Sequence, residues 1–217
     1  MNIKLSVLLT IAIFFPSPYL HGQNNDEPTP PLVLVLSLNG KEHAIEANAE
    51  KRIPGEFKNP NVKIRTAGYR QFHRNDISFR YPENMSFDHD HADGVKTWNV
   101  EGSDAELSIY CMQGASEVFI QSAVHETVLL SENPQQKVDI KRGTKKVNGV
   151  KLKTYEYSID FDGGYSIDMY AVELPTTTET RILMFSREFE DKKLAKECVE
   201  LEKLVLGSIE WDNTNNH

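Results

Sequence analysis

The chain has 217 residues, 24 of them basic and 32 acidic, for a formal net charge of -8. That balance repels a phosphate backbone, and no long basic stripe offsets it, so the sequence argues against nucleic acid as a partner. The length suits one ordinary domain, or one domain with a small appendage.

The first residues read "MNIKLSVLLTIAIFFPSPYLHGQ". Lys4 precedes an apolar run from Leu5 to Phe15, which Pro16 and Pro18 end. A charged start, a short apolar core and a polar exit make a secretory signal over 1–22. The run is shorter than the roughly 20 residues that cross a bilayer, and no later run approaches that length. The alternative is a buried N-terminal helix. The absence of a cysteine near the exit speaks against a lipid anchor. The expected location is secreted or periplasmic. "NNDEPTPP" then reads as part of a polar, Pro-rich tether over 23–31.

"LVLVLSL", 32–38, is a strong strand signal. Asn39-Gly40 follows it, the best short hairpin signal because both residues tolerate positive φ. "KEHAIEA" reads as the return strand, and "VKIRTAGYRQF" as a third strand broken at Gly68. Residues 32–75 thus form a small β region without a helix, expected to dock on the main sheet or on a partner through "LVLVLSL".

The main domain is expected over 76–211, with a polar tail at 212–217. "ISFRY", "VKTWNVE" and "ELSIYCM" alternate as strands do. In the last, Leu107, Ile109 and Cys111 oppose Tyr110 and Met112. From about Ser116 to Ser131 the period changes, and Ile120, Ala123, Val124, Thr127 and Val128 form one helical stripe. "SENPQQKVDIKRGTKK" reads as a polar loop, its basic end a solvated one or a binding patch. Asn148-Gly149 turns into "VKLKTYEYSI", followed by "YSIDMYAVEL" and "ETRILMFSRE", a three-stranded meander. Apolar residues on both faces of these strands require cover on both sides. A last helix is predicted from an N-cap at Asp191 to Gly207, with Leu194, Cys198, Leu201 and Val205 inward. The expected class is α+β: an antiparallel sheet layered with helices in an α/β/α sandwich, preceded by the small N-terminal β region.

The order "ISFRYPENMSF", two strands, a helix, "VNGVKLKTYEY", a hairpin, "RILMFS" and a helix ending "LGSIEW" resembles the PsbP/Mog-like superfamily over about 76–211. The resemblance implies an antiparallel sheet between helical layers. It implies no activity, since members include photosystem accessory proteins, Ran-binding proteins and bacterial envelope proteins. An export signal argues against a nuclear Ran partner. No functional residue of the superfamily maps onto this chain.

"FDHDHADG", 87–94, is the stretch richest in chemistry. His89 and His91 at i and i+2 would share a face on an extended backbone and could share a divalent metal, with oxygen from Asp88, Asp90 or Asp93. A polar inter-strand loop is the alternative. An EF-hand reading fails, because Asp93 stands where the turn glycine belongs. Cys111 and Cys198 both point at core layers; in an oxidising compartment they form one bridge, or else they pack as two buried thiols. "GYSID" lacks the second glycine of a nucleophile elbow, and "HET" at 125–127 lacks the second histidine of a zinc protease helix. Tyr155, Tyr157, Tyr165 and Tyr170 suit either a ligand surface or sheet packing. "NMS" at 84–86 is an N-glycosylation acceptor where the host modifies exported chains. Without a complete catalytic constellation, the reading is an exported, non-catalytic binding or accessory protein with a protein or small-molecule partner and no cofactor. The alternative is a metal-dependent hydrolase or metal-binding protein using the 88–93 loop.

Overall fold

A computed structural model describes residues 27–47, 49–51, 53–54, 61–92, 94–130, 136–161, 165–176, 179–187, 189–190 and 193–212. The first seven strands are β1 (Leu32–Leu38), β2 (Lys41–Glu46), β3 (Val62–Arg74), β4 (Ile77–Pro82), β5 (Ser86–Ala92), β6 (Val95–Glu101) and β7 (Ala105–Met112). Helix α1 (Ser116–Leu130) follows, then β8 (Lys141–Val147), β9 (Val150–Phe161), β10 (Tyr165–Leu174) and β11 (Thr180–Arg187). The two-residue strands β12 (Phe189–Glu190) and β13 (Lys193–Leu194) precede helix α2 (Lys196–Ser208), and β14 (Glu210–Trp211) comes last. The strands form a five-stranded sheet ordered β14-β4-β3-β1-β2 and a seven-stranded sheet ordered β5-β6-β7-β11-β10-β9-β8, with β12 and β13 paired apart.

Turn chemistry sets the registers. Asn39 and Gly40 have φ of 53° and 83°, and Asn148 and Gly149 have 48° and 86°. Both pairs make the two-residue hairpin that the right-handed twist of strands favours. Gly68 sits at φ 80°, where the β1–β3 register jumps from Leu34↔Thr66 to Leu32↔Arg70. The predicted break in that strand is therefore a bulge.

The seven-stranded sheet buries both faces, as its sequence demanded. On one face Tyr110, Met112, Tyr155, Tyr157, Ile159, Ile182 and Met184 meet Ile120, Val124 and Val128 of α1. The start of α1 is fixed there by Ser116 Oγ, which donates to Glu173 Oε2 at 2.5 Å, and by Tyr155 OH, which donates to the same oxygen at 3.2 Å. On the other face Trp98, Val100, Leu107, Ile109, Leu183 and Phe185 meet Phe72 of β3, Ile77, Phe79 and Tyr81 of β4, and Cys198, Leu201 and Val205 of α2. Phe72 stacks on Phe79 with centroids 4.6 Å apart and meets Trp98 edge-on at 5.8 Å.

This arrangement corrects the expected α/β/α sandwich. The fold is β-rich, with two antiparallel sheets and two helices among the described residues. The layer opposite α1 is a strand pair together with α2. The reason lies in β4: Ile77, Phe79 and Tyr81 face the large sheet, while the β4 backbone pairs with β3 and β14. Alternation announces a half-buried strand but does not name its ladder partner.

Smaller corrections follow the same logic. β1 is paired on both sides, with β2 and β3, so "LVLVLSL" has no open backbone edge among the described residues through which to dock on a partner. The expected polar loop before Asn148 contains β8, and the 88–93 stretch is strand as far as Ala92. Helix α2 begins at Lys196 behind Ala195, with no side-chain cap, and runs through Gly207 to Ser208. The expected cap Asp191 lies outside the described residues, as do 1–26. Residues 27–31, read as tether, lie along β3: Gln71 N donates to Pro31 O at 3.0 Å, and Arg70 and Arg74 donate to Pro30 O and Pro28 O.

Candidate functional site

Where the β8–β9 hairpin meets α2, the surface folds inward. Val147, the last residue of β8, is buried beneath the helix. Asn148 in the turn donates through Nδ2 to Ile209 O at 2.5 Å, which ties the hairpin tip to the end of α2. Between them lies a groove of about 390 Å³, lined by Lys145, Lys146, Val147 and Asn148 from the hairpin and Val199, Glu202, Lys203, Leu206 and Gly207 from the helix. Lys145 and Lys203 give it positive charge in a chain of net charge -8. Val199 is 46% exposed and offers apolar contact.

The groove wall carries a paired Glu202. Arg187 donates to the Glu202 carboxylate through Nε at 2.6 Å and Nη2 at 3.0 Å, a two-point clasp. Burial disfavours the Arg187 charge, but the Glu202 hydrogen bonds and charge outweigh it and hold its pKa above the ordinary value. The Arg187 guanidinium lies 4.1 Å from the Tyr170 ring centre, and Lys145 Nζ lies 5.3 Å from the same centre. Burial, with the Glu202 charge, pushes the Tyr170 phenol up to about 12. At neutral pH the ring is therefore a neutral platform, not a base. Among the described residues the groove lining holds no Ser, Thr, Cys or His, and its one carboxylate is already clasped by Arg187. This arrangement suits holding an anion and offers no complete nucleophilic constellation.

The residues singled out from sequence fall elsewhere. His89 and His91 do share a face of β5, opposite Trp98 and Lys96 of β6. Asp88 and Asp90 lie on the other face, where their Oδ1 atoms accept from the amides of His89 at 2.8 Å and His91 at 2.7 Å. Alternation thus separates the imidazoles from these two carboxylates. Among the described residues no three His, Cys, Asp or Glu converge as a metal site. Asp93 lies outside them.

Cys111 and Cys198 are both buried in one core cluster, yet they are not bridged. Cys198 Sγ donates to Asp104 O at 2.9 Å, and burial pushes the Cys111 thiol up to about 11. The bridge alternative is corrected accordingly. Tyr155, Tyr157 and Tyr170 pack in the core, and His125 is exposed on α1.

Sequence reading missed the groove because its two walls are distant along the chain. The one available signal was the run of basic residues before Asn148-Gly149, which carries no acid from Lys141 to Lys146.

No family model matches the chain, and no curated protein matches it. Among solved structures, the solution structure of cyanobacterial PsbP (CyanoP) from Synechocystis sp. PCC 6803 is similar over 55% of this chain and 80% of that one. The identity is 13% and the TM-score 0.42. At that level the likeness carries no argument for function, so the groove is read from its own side chains. Among the described residues no helix is long and apolar enough to cross a membrane.

Proposed function

We propose that this chain is an exported, non-catalytic binding or accessory protein, and that an acidic partner docks in the groove between β8 and α2. The observation that carries the reading is the concave surface where Lys145 and Lys203 stand on its two walls beside Val199, with Glu202 held by the Arg187 clasp. Lys145 is already held over the Tyr170 ring, which lowers the cost of ordering it on binding. Export is supported by the signal-like residues 1–22. The test is calorimetry of a Glu-rich peptide with the wild type and with Lys145→Glu/Lys203→Glu. Exposed ion pairs contribute about 0.2–1 kcal/mol each. Reversing two charges should therefore weaken binding by about tenfold or more at low salt, and less as salt screens the wild-type contacts. Equal affinities for the two proteins would refute the groove as the site.

A further inference from the structure

The groove ends at the edge of the seven-stranded sheet, and that edge is β8. Among the described residues β9 is its only ladder partner, and the side chains of 141–146 are all exposed. The strand has no proline and its register with β9 is unbroken from Lys141↔Glu156 to Val147↔Val150.

The hairpin fixes which backbone groups face outward. In a two-residue hairpin the pair flanking the turn, here Val147 and Val150, is a hydrogen-bonded pair. Opposed residues in an antiparallel ladder then alternate between bonded and non-bonded pairs. Lys145 and Gly143 therefore bond inward to β9, whereas Lys146, Thr144 and Arg142 turn their N–H and C=O groups away from it. Those three residues present a ready half-ladder.

Side-chain charge selects what can complete it. Lys141 and Lys145 lie on the α2 side with Val147, and Lys145 reaches over Tyr170. Arg142 and Lys146 lie on the α1 side, where Arg142 is paired with Glu117 at 2.6 Å. Gly143 leaves a gap between Lys141 and Lys145; a Cβ there would come within 2.9 Å of Thr154 Oγ1. A second copy of the chain pairing β8 to β8 would set cation against cation, which opposes self-association. An extended acidic segment meets the opposite situation. The net charge of -8 disfavours it elsewhere, and the β8 edge offers both backbone partners and cations.

We propose that β8 receives an extended, acidic peptide segment as an eighth, edge strand of the large sheet, with the groove taking the flanking side chains. This rests on the binding reading above and specifies its mode. Strand addition draws affinity from main-chain hydrogen bonds and specificity from alternate side chains.

The test uses the whole chain and two labelled octapeptides, one alternating Glu and Thr, the other alternating Glu and Pro. Both carry the same charge, but the second cannot form a ladder. The Glu/Thr peptide should bind at least tenfold more tightly, and its binding should slow amide exchange at Arg142, Thr144 and Lys146. Thr144→Pro removes one outward N–H without taking a bond from β9, and should lower affinity about tenfold. Equal binding of the two peptides, or unchanged exchange at those three amides in the wild type, overturns strand addition and leaves the groove standing. Glu/Thr binding that is indifferent to Lys145→Glu/Lys203→Glu instead removes the groove. A wild type that binds neither peptide removes both.

Discussion

Glu106 shows how one side chain can make stability depend on pH. It sits directly across the β6–β7 ladder from Glu101 and receives a hydrogen bond from Ser108 Oγ at 3.3 Å. Burial first, and the Glu101 charge second, push its carboxyl up to about 7 from the ordinary 4.5. The folded state therefore holds this proton more tightly than the unfolded chain does. Its stabilising contribution is full below about pH 4.5 and is lost as pH rises through about 7. Glu106→Gln removes the titration. At pH 8 the variant is expected to exceed the wild type in urea stability by roughly 1–3 kcal/mol, with the difference vanishing near pH 4. A wild-type urea midpoint that does not move between pH 5 and 8 would contradict this account. Phe72 is the opposite kind of residue, fully buried and uncharged. Phe72→Ala should cost about 3–5 kcal/mol, because its ring touches both Phe79 and Trp98 and neither can follow the void.

At the scale of elements, what was legible followed from period and turn chemistry. The two faces of β7, β9 and β11 were readable because their apolar residues occupy both odd and even positions, and both clusters contain the residues so assigned. The stripe of α1 was readable for the same reason. β8 was not: "KRGTKKV" has no alternation and little intrinsic strand preference, and it is held extended by its ladder to β9. The Asn-Gly turn that secures that ladder was visible, but its consequence for the residues upstream was not. The groove was illegible for a related reason, since it exists only once α2 lies beside Val147. Gly149 tests the turn itself. At φ 86°, with open space around a new Cβ, Gly149→Ala should cost about 1–2 kcal/mol through backbone strain alone. A thermal midpoint unchanged by that substitution would show that the hairpin tip relaxes freely.

For the whole molecule, the decisive question is how far the N-terminal residues are needed. Sequence suggested a division near 75/76, between a small β region and the main domain. In the structure the β3–β4 ladder runs across that point, from Arg74↔Ile77 to Tyr69↔Pro82. Phe72 lies in the core between the sheets. Upstream still, Glu27 Oε2 accepts from Trp98 Nε1 at 2.8 Å and from Arg74 Nε at 3.1 Å, joining the beginning of the described chain to both sheets. Burial disfavours the Glu27 charge, but the bonds from Trp98 and Arg74 prevail and hold its pKa below the ordinary value. A fragment starting at residue 76 loses the β3 ladder, the Phe72 ring and the carboxylate that satisfies Trp98. Small domains are stable by only about 5–15 kcal/mol, and the loss of Phe72 alone removes a large share of that. The 76–217 fragment should therefore unfold without a cooperative transition, while a fragment starting at residue 24 should melt cooperatively. A sharp transition in the shorter fragment, close to that of the longer one, would show that the strand-plus-helix layer closes over the seven-stranded sheet without β3.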